Sequence, residues 1–155
     1  MPTPALGRAA RTSLGLSLLL LGSTLPRAAT AQDVMTAISD KHMESVLDEM
    51  GIDYTKSKEH TWKLKLDSRT VLLFLEHDNT DSQLYIGFGD KTVSPSKMNE
   101  WNKSKRFGRA YADDDSNPVL ESDLDFAGGV TDDTLKAWIK LFKTLIESYV
   151  KFLNN

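Results

Sequence analysis

Residues 108–126 read GRAYADDDSNPVLESDLDF, and this stretch decides the fold. Asp113-Asp114-Asp115-Ser116-Asn117 has the polar, chain-reversing character of a hairpin loop. The simplest register about it sets Ala112 opposite Pro118, Ala110 opposite Leu120 and Arg109 opposite Glu121. Successive strand residues point to opposite faces. One face then carries Gly108, Ala110, Leu120, Leu124 and Phe126, and the other carries Arg109, Tyr111, Glu121, Asp123 and Asp125. A slip of one residue would mix the two sets, so the clean division into a core side and a wet side supports the register.

Outward to the C-terminus, Gly128-Gly129 ends the hairpin and Thr131 caps a helix with Asp132 and Asp133 in its first turn, where the helix dipole favours acids. Leu135, Trp138, Ile139, Phe142, Leu145 and Ile146 keep helical spacing, continued by Tyr149 and Leu153, with Lys136, Lys140 and Lys143 on the opposite side. Leu141 and Phe152 widen the apolar stripe beyond one contact, which marks them as candidates for self-association. Toward the N-terminus, Ser94-Pro95 opens a short helix carrying Met98 and Trp101. Before it lie three strand signals: alternation at Trp62, Leu64 and Leu66, an apolar run from Val71 to Leu75, and alternation at Leu84, Ile86 and Phe88. A first helix, from about Asp40 to Met50, is capped by Ser39 and stopped by Gly51. The expected order is α-β-β-β-α-β-β-α, an α+β fold with an antiparallel sheet and a long C-terminal amphipathic helix packed on it.

Residues 1–31 have the parts of a cleavable secretory signal. Arg8 and Arg11 form the positive region, Leu14 to Leu21 a short apolar core, and Ala29-Thr30-Ala31 a small-x-small site with cleavage after Ala31. That core falls well short of the ~20 residues a spanning helix needs. Residues 32–155 would form one domain, placed in the periplasm or outside the cell. The signal holds three arginines and no acids, so its removal takes the formal charge from −3 to −6. An acidic domain without a basic block argues against nucleic acid as partner, and stable membrane insertion is not expected after cleavage. With no cysteine, neither a disulfide nor a lipid-bearing N-terminal cysteine is available.

The search for chemistry finds no catalytic apparatus and no cofactor or metal site. Asp113, Asp115 and Asn117 resemble the opening of a calcium loop, but Pro118 and Leu124 stand where such a loop needs glycine and glutamate. His42, His60 and His77 form no metal motif, and no G-x-S-x-G, phosphate-binding or dinucleotide fingerprint is present. Arg109 opposite Glu121 reads as a cross-strand ion pair, as does Arg106 with Asp123 or Asp125.

The segment from Asn99 to Tyr111, followed by Leu120 to Val130, resembles the signature of the YbjN family of proposed bacterial sensory transduction regulators. The positions that carry the resemblance are Asn99, Trp101, Asn102, Arg106, Phe107, Arg109, Tyr111, Leu120, Glu121, Asp123, Leu124, Gly128 and Gly129. It extends over about Ser39 to Phe142. The family's fold resembles type III secretion chaperones, with the element order reached above. The resemblance implies a non-enzymatic role, a protein partner and a possible homodimer. The export signal sets that role in the cell envelope. The alternative is a periplasmic small-molecule-binding domain with a pocket near Trp101, Arg109 and Tyr111.

Overall fold

The computed structural model describes residues 33–155, so the expected export signal lies outside the described residues. The order is α1 (Asp40–Glu49), β1 (Tyr54–Lys58), β2 (Thr61–Leu66), β3 (Arg69–Glu76), β4 (Asp81–Gly87), α2 (Pro95–Ser104), β5 (Arg109–Ala112), β6 (Pro118–Asp125) and α3 (Asp132–Asn154). The strands form one antiparallel sheet in the order β1-β2-β3-β4-β6-β5. The α+β class and the long C-terminal helix are as expected, with one strand more than periodicity marks. That strand, β1, is Tyr-Thr-Lys-Ser-Lys, and four of its five residues are exposed. An edge strand that buries almost nothing has no alternation to read.

The hairpin register is the expected one: Arg109 faces Glu121, Ala110 faces Leu120 and Ala112 faces Pro118. Its loop is closed by Asp113, whose carboxylate accepts from the backbone N–H groups of Asp115 (3.0 Å) and Asn117 (2.7 Å) and from the Asn117 amide (3.1 Å). Ser39, Ser94 and Thr131 cap the three helices through their side-chain oxygens.

Trp62, Leu64, Leu73, Leu84 and Leu120 point to the inner face of the sheet, where they meet Phe142, Ile146 and Tyr149 of α3 and Met43 and Leu47 of α1 in one core. Two lysines of α3 are not on a free outer side. Lys136 Nζ reaches Glu49 of α1 at 2.6 Å, and Lys143 Nζ reaches Asp67 of the β2–β3 turn at 2.7 Å. At the N-terminal end, Met35 bridges Val130 and Ile38 is buried. Gly129 (φ +86°) packs so closely there that a Cβ would collide with the Val34 side chain. Among the described residues, no helix is long and apolar enough to cross a membrane.

Candidate functional site

The sequence candidates cluster where α2, β5 and β6 meet, and the structure divides them into three groups. The first group is structural. Asn102 sits at the open edge of β5, where its Oδ1 accepts from the Ala110 N–H (2.9 Å) and its Nδ2 donates to the Ala110 carbonyl (2.8 Å). A side-chain amide thus takes the place of a neighbouring strand, closing an edge that would otherwise present unpaired backbone groups. Next to it in sequence, Trp101 is fully buried, with its ring 4.8 Å from Tyr149 and 5.5 Å from Phe152. Phe152 is therefore partly committed to the core. Asn99 is exposed on the outer side of α2, beside Ser96, Glu100 and Lys103.

The second group occupies the outer face of the sheet, where Arg109, Asp123 and Asp125 are exposed as expected of a wet side but Glu121 is not. Glu121 is buried to 5 % exposure. Its carboxylate accepts from the Arg109 guanidinium and from the Tyr111 hydroxyl (2.5 Å), and Tyr85 lies opposite it in the β4–β6 register. Burial, then the bond to Glu121, pushes the Tyr111 hydroxyl well above its usual range, so it stays protonated and donating. Two-residue alternation assigns a face but does not say how well lateral neighbours cover it. Asp123 is exposed and accepts from Gln83 Nε2 at 2.9 Å. Among the described residues no ion pair joins Arg106 to Asp123 or Asp125, contrary to expectation. Trp101 belongs to the inner layer, whereas Arg109 and Tyr111 project from the outer face, so these three do not line one pocket.

The third group is Phe107 and its supports. Phe107 is 71 % exposed and has φ +65°, a left-handed conformation. For a residue with a Cβ this costs roughly 1–2 kcal/mol. A glycine stands next to it, but Gly108 serves a close approach instead: a Cβ there would lie 3.1 Å from Leu145 Cδ1 and 3.2 Å from Leu120 Cδ1. A buried relay holds the strained residue. Trp138 Nε1 donates to Ser122 Oγ (3.0 Å), and Ser122 Oγ donates to the Phe107 carbonyl (2.7 Å). Trp138 and Leu145 both support this segment, and Leu141, three residues from one and four from the other, lies on the same flank of α3. Leu141 is 36 % exposed, and among the described residues it and Phe107 are two of the three exposed large apolar side chains. Arg106 is exposed at the rim, and Lys105 Nζ lies over the Trp101 ring at 5.7 Å.

Ser122 was absent from the sequence candidates, although a hydroxyl on the core face between Leu120 and Leu124 is the signal that would have found it. The histidines are all engaged with carboxylates: His42 with Asp132 (2.7 Å), His60 with Asp40 (2.5 Å) and His77 with Asp81 (2.7 Å). Glu76, His77 and Asp81 bring three ligand-type groups within 4.8 Å at the β3–β4 turn, but in a largely exposed setting and with His77 Nδ1 bonded to Asp81.

No curated protein matches the chain closely enough to count as a relative. A family model does match, over residues 39–155, and so covers every element from the Ser39 cap to the end of α3. Its description is "Putative bacterial sensory transduction regulator". With Asn102, Trp101, Glu121 and Phe107 each given a definite place in the fold and the match spanning nearly all of the described domain, the chain belongs to the YbjN family.

Proposed function

We propose that this protein is a non-catalytic, regulatory binding module that acts in the cell envelope after export and engages a protein partner through Phe107 and Leu141. The observation that carries the reading is Phe107 itself. The free domain gains nothing by holding an aromatic ring in water on a strained backbone, whereas buried aromatic anchors dominate the energetics of protein interfaces. The family's description as a regulator supports the same reading. So does the condition of the sheet edges: β1 carries Lys56, Lys58 and a bulge between them, and β5 is closed by Asn102. These features disfavour strand addition, which leaves side-chain surfaces to meet a partner. The polar motif residues Asn102, Arg109, Tyr111 and Glu121 are engaged with one another or with backbone, which fits folding roles better than catalysis. Export rests on the arginines, apolar core and small-x-small site of residues 1–31.

Photo-crosslinking in cells tests both parts. The chain carrying Phe107→p-benzoylphenylalanine should give one dominant crosslinked protein in the envelope fraction, while the same probe at Lys58 should not. Equal crosslinking at both positions, or none at 107, would remove the partner site. A chain retained in the cytoplasm at its uncleaved mass would overturn the envelope role.

A further inference from the structure

The flank of α3 turned away from Phe107 borders a second surface. Two cavities, of about 290 and 360 Å³, lie between α3 and the β2–β3 turn. Leu66, Asp67 and Lys143 line both, so the Lys143–Asp67 ion pair (2.7 Å) separates what would otherwise be one groove. The groove follows α3 from Ile139 to Lys151, a rise of about 18 Å. Leu66, Ile139, Ile146 and Val150 give it an apolar floor.

Its charge is opposite to that of the domain. Lys65, Arg69, Lys140, Lys143 and Lys151 line it against only Asp67 and Glu147, a local excess of three positive charges on a chain of net −3. Among the described residues, Lys143 alone of these five cations has a carboxylate partner. That partner, Asp67, sits in a left-handed turn position (φ +54°) and occupies Lys143 as an incoming carboxylate would.

We propose that this groove binds an acidic amphipathic protein segment, about three helical turns or five to six extended residues in length. Its apolar side chains cover the floor and its carboxylates meet the basic rim. The chain's own candidates fit poorly. The arginines of residues 1–31 carry the same sign as the rim, and the acidic loop at Asp113-Asp114-Asp115 is followed by Ser116 and Asn117 rather than by apolar residues. The site is separate from the Phe107 surface, and neither requires the other.

The test uses the purified full chain and a fluorescein-labelled peptide of about 12 residues that repeats Glu-Leu-Leu-Glu, with a Lys-for-Glu counterpart as control. Fluorescence anisotropy should show binding of the acidic peptide, weakening with salt, and none of the basic one. Lys140→Glu with Lys143→Glu should weaken binding at least about tenfold. Asp67→Asn, which keeps a residue tolerant of the left-handed turn, should strengthen it by about two- to fivefold as Lys143 is released. Phe107→Ala should leave it unchanged, so loss of this site and loss of the Phe107 partner are read separately. Equal binding of both peptides, no binding of the acidic peptide to the folded chain, or lysine-dependent binding of phosphatidylglycerol vesicles in its place would overturn the proposal.

Discussion

Asn102 offers the sharpest division between a residue that builds the fold and one that meets a partner. Asn102→Ala removes both hydrogen bonds to the Ala110 backbone and leaves that stretch of the sheet edge unpaired. At about 0.5–1.5 kcal/mol net per bond, the loss comes to roughly 1–3 kcal/mol. For a domain of this size that lowers the melting temperature by roughly 4–12 °C. Asn102→Asp adds a second reading. Its carboxylate would still accept from the Ala110 N–H but would face the Ala110 carbonyl, an acceptor against an acceptor. The folded state therefore raises that carboxyl's pKa and binds its proton more tightly than the unfolded chain. Protonation restores a donor, so the variant should be weakest at neutral pH and regain stability as pH falls through the raised value. Differential scanning fluorimetry across pH, with partner capture measured well below the melting temperature, follows both effects. Unchanged melting with lost capture would refute the structural role and make Asn102 a contact residue.

Ser122→Ala breaks the relay from Trp138 to the Phe107 carbonyl and strands a buried indole N–H; urea titration should show a loss of about 1–3 kcal/mol. Asp40 should confer stability that acid removes. Burial acts to raise its pKa, but hydrogen bonds from Lys56 and His60 outweigh this and hold it below the ordinary 3.8. A depressed value contributes fully above pH 3.8 and is lost as pH falls through the folded value. The melting-temperature gap between wild type and Asp40→Asn should thus be widest near neutrality and close in strong acid.

Much of the fold was legible because its signals are local. The hairpin register followed from the parity of Ala110, Leu120 and Leu124 about a five-residue loop, and the helix starts followed from Ser39, Ser94 and Thr131. Strand β1 was not legible, since an exposed edge of Thr, Lys and Ser has no buried face to mark it. The candidate site was legible as a list of residues but not as roles. Alternation places Glu121 on the polar face but does not show that, between Arg109 and Tyr111 on one side and Tyr85 on the other, it is buried. Phe107 is legible only as a position of the family resemblance, and its exposed ring on a left-handed backbone, held through Ser122 and Trp138 from distant parts of the chain, is not. The lysines of α3 read as a solvated side until the turn at Asp67 closes against them.

The central claim is that Phe107 is strained for the sake of a partner. Its most direct test is Phe107→Gly, measured for both stability and affinity toward the crosslinked partner. Glycine adopts φ near +65° without the Cβ penalty, and the lost ring is exposed, so stability should hold or rise by up to about 1 kcal/mol. Affinity should fall by at least about tenfold, the usual cost of removing an aromatic anchor. A destabilised variant that binds its partner as tightly as wild type would contradict the account, because Phe107 would then serve the fold and not the interface.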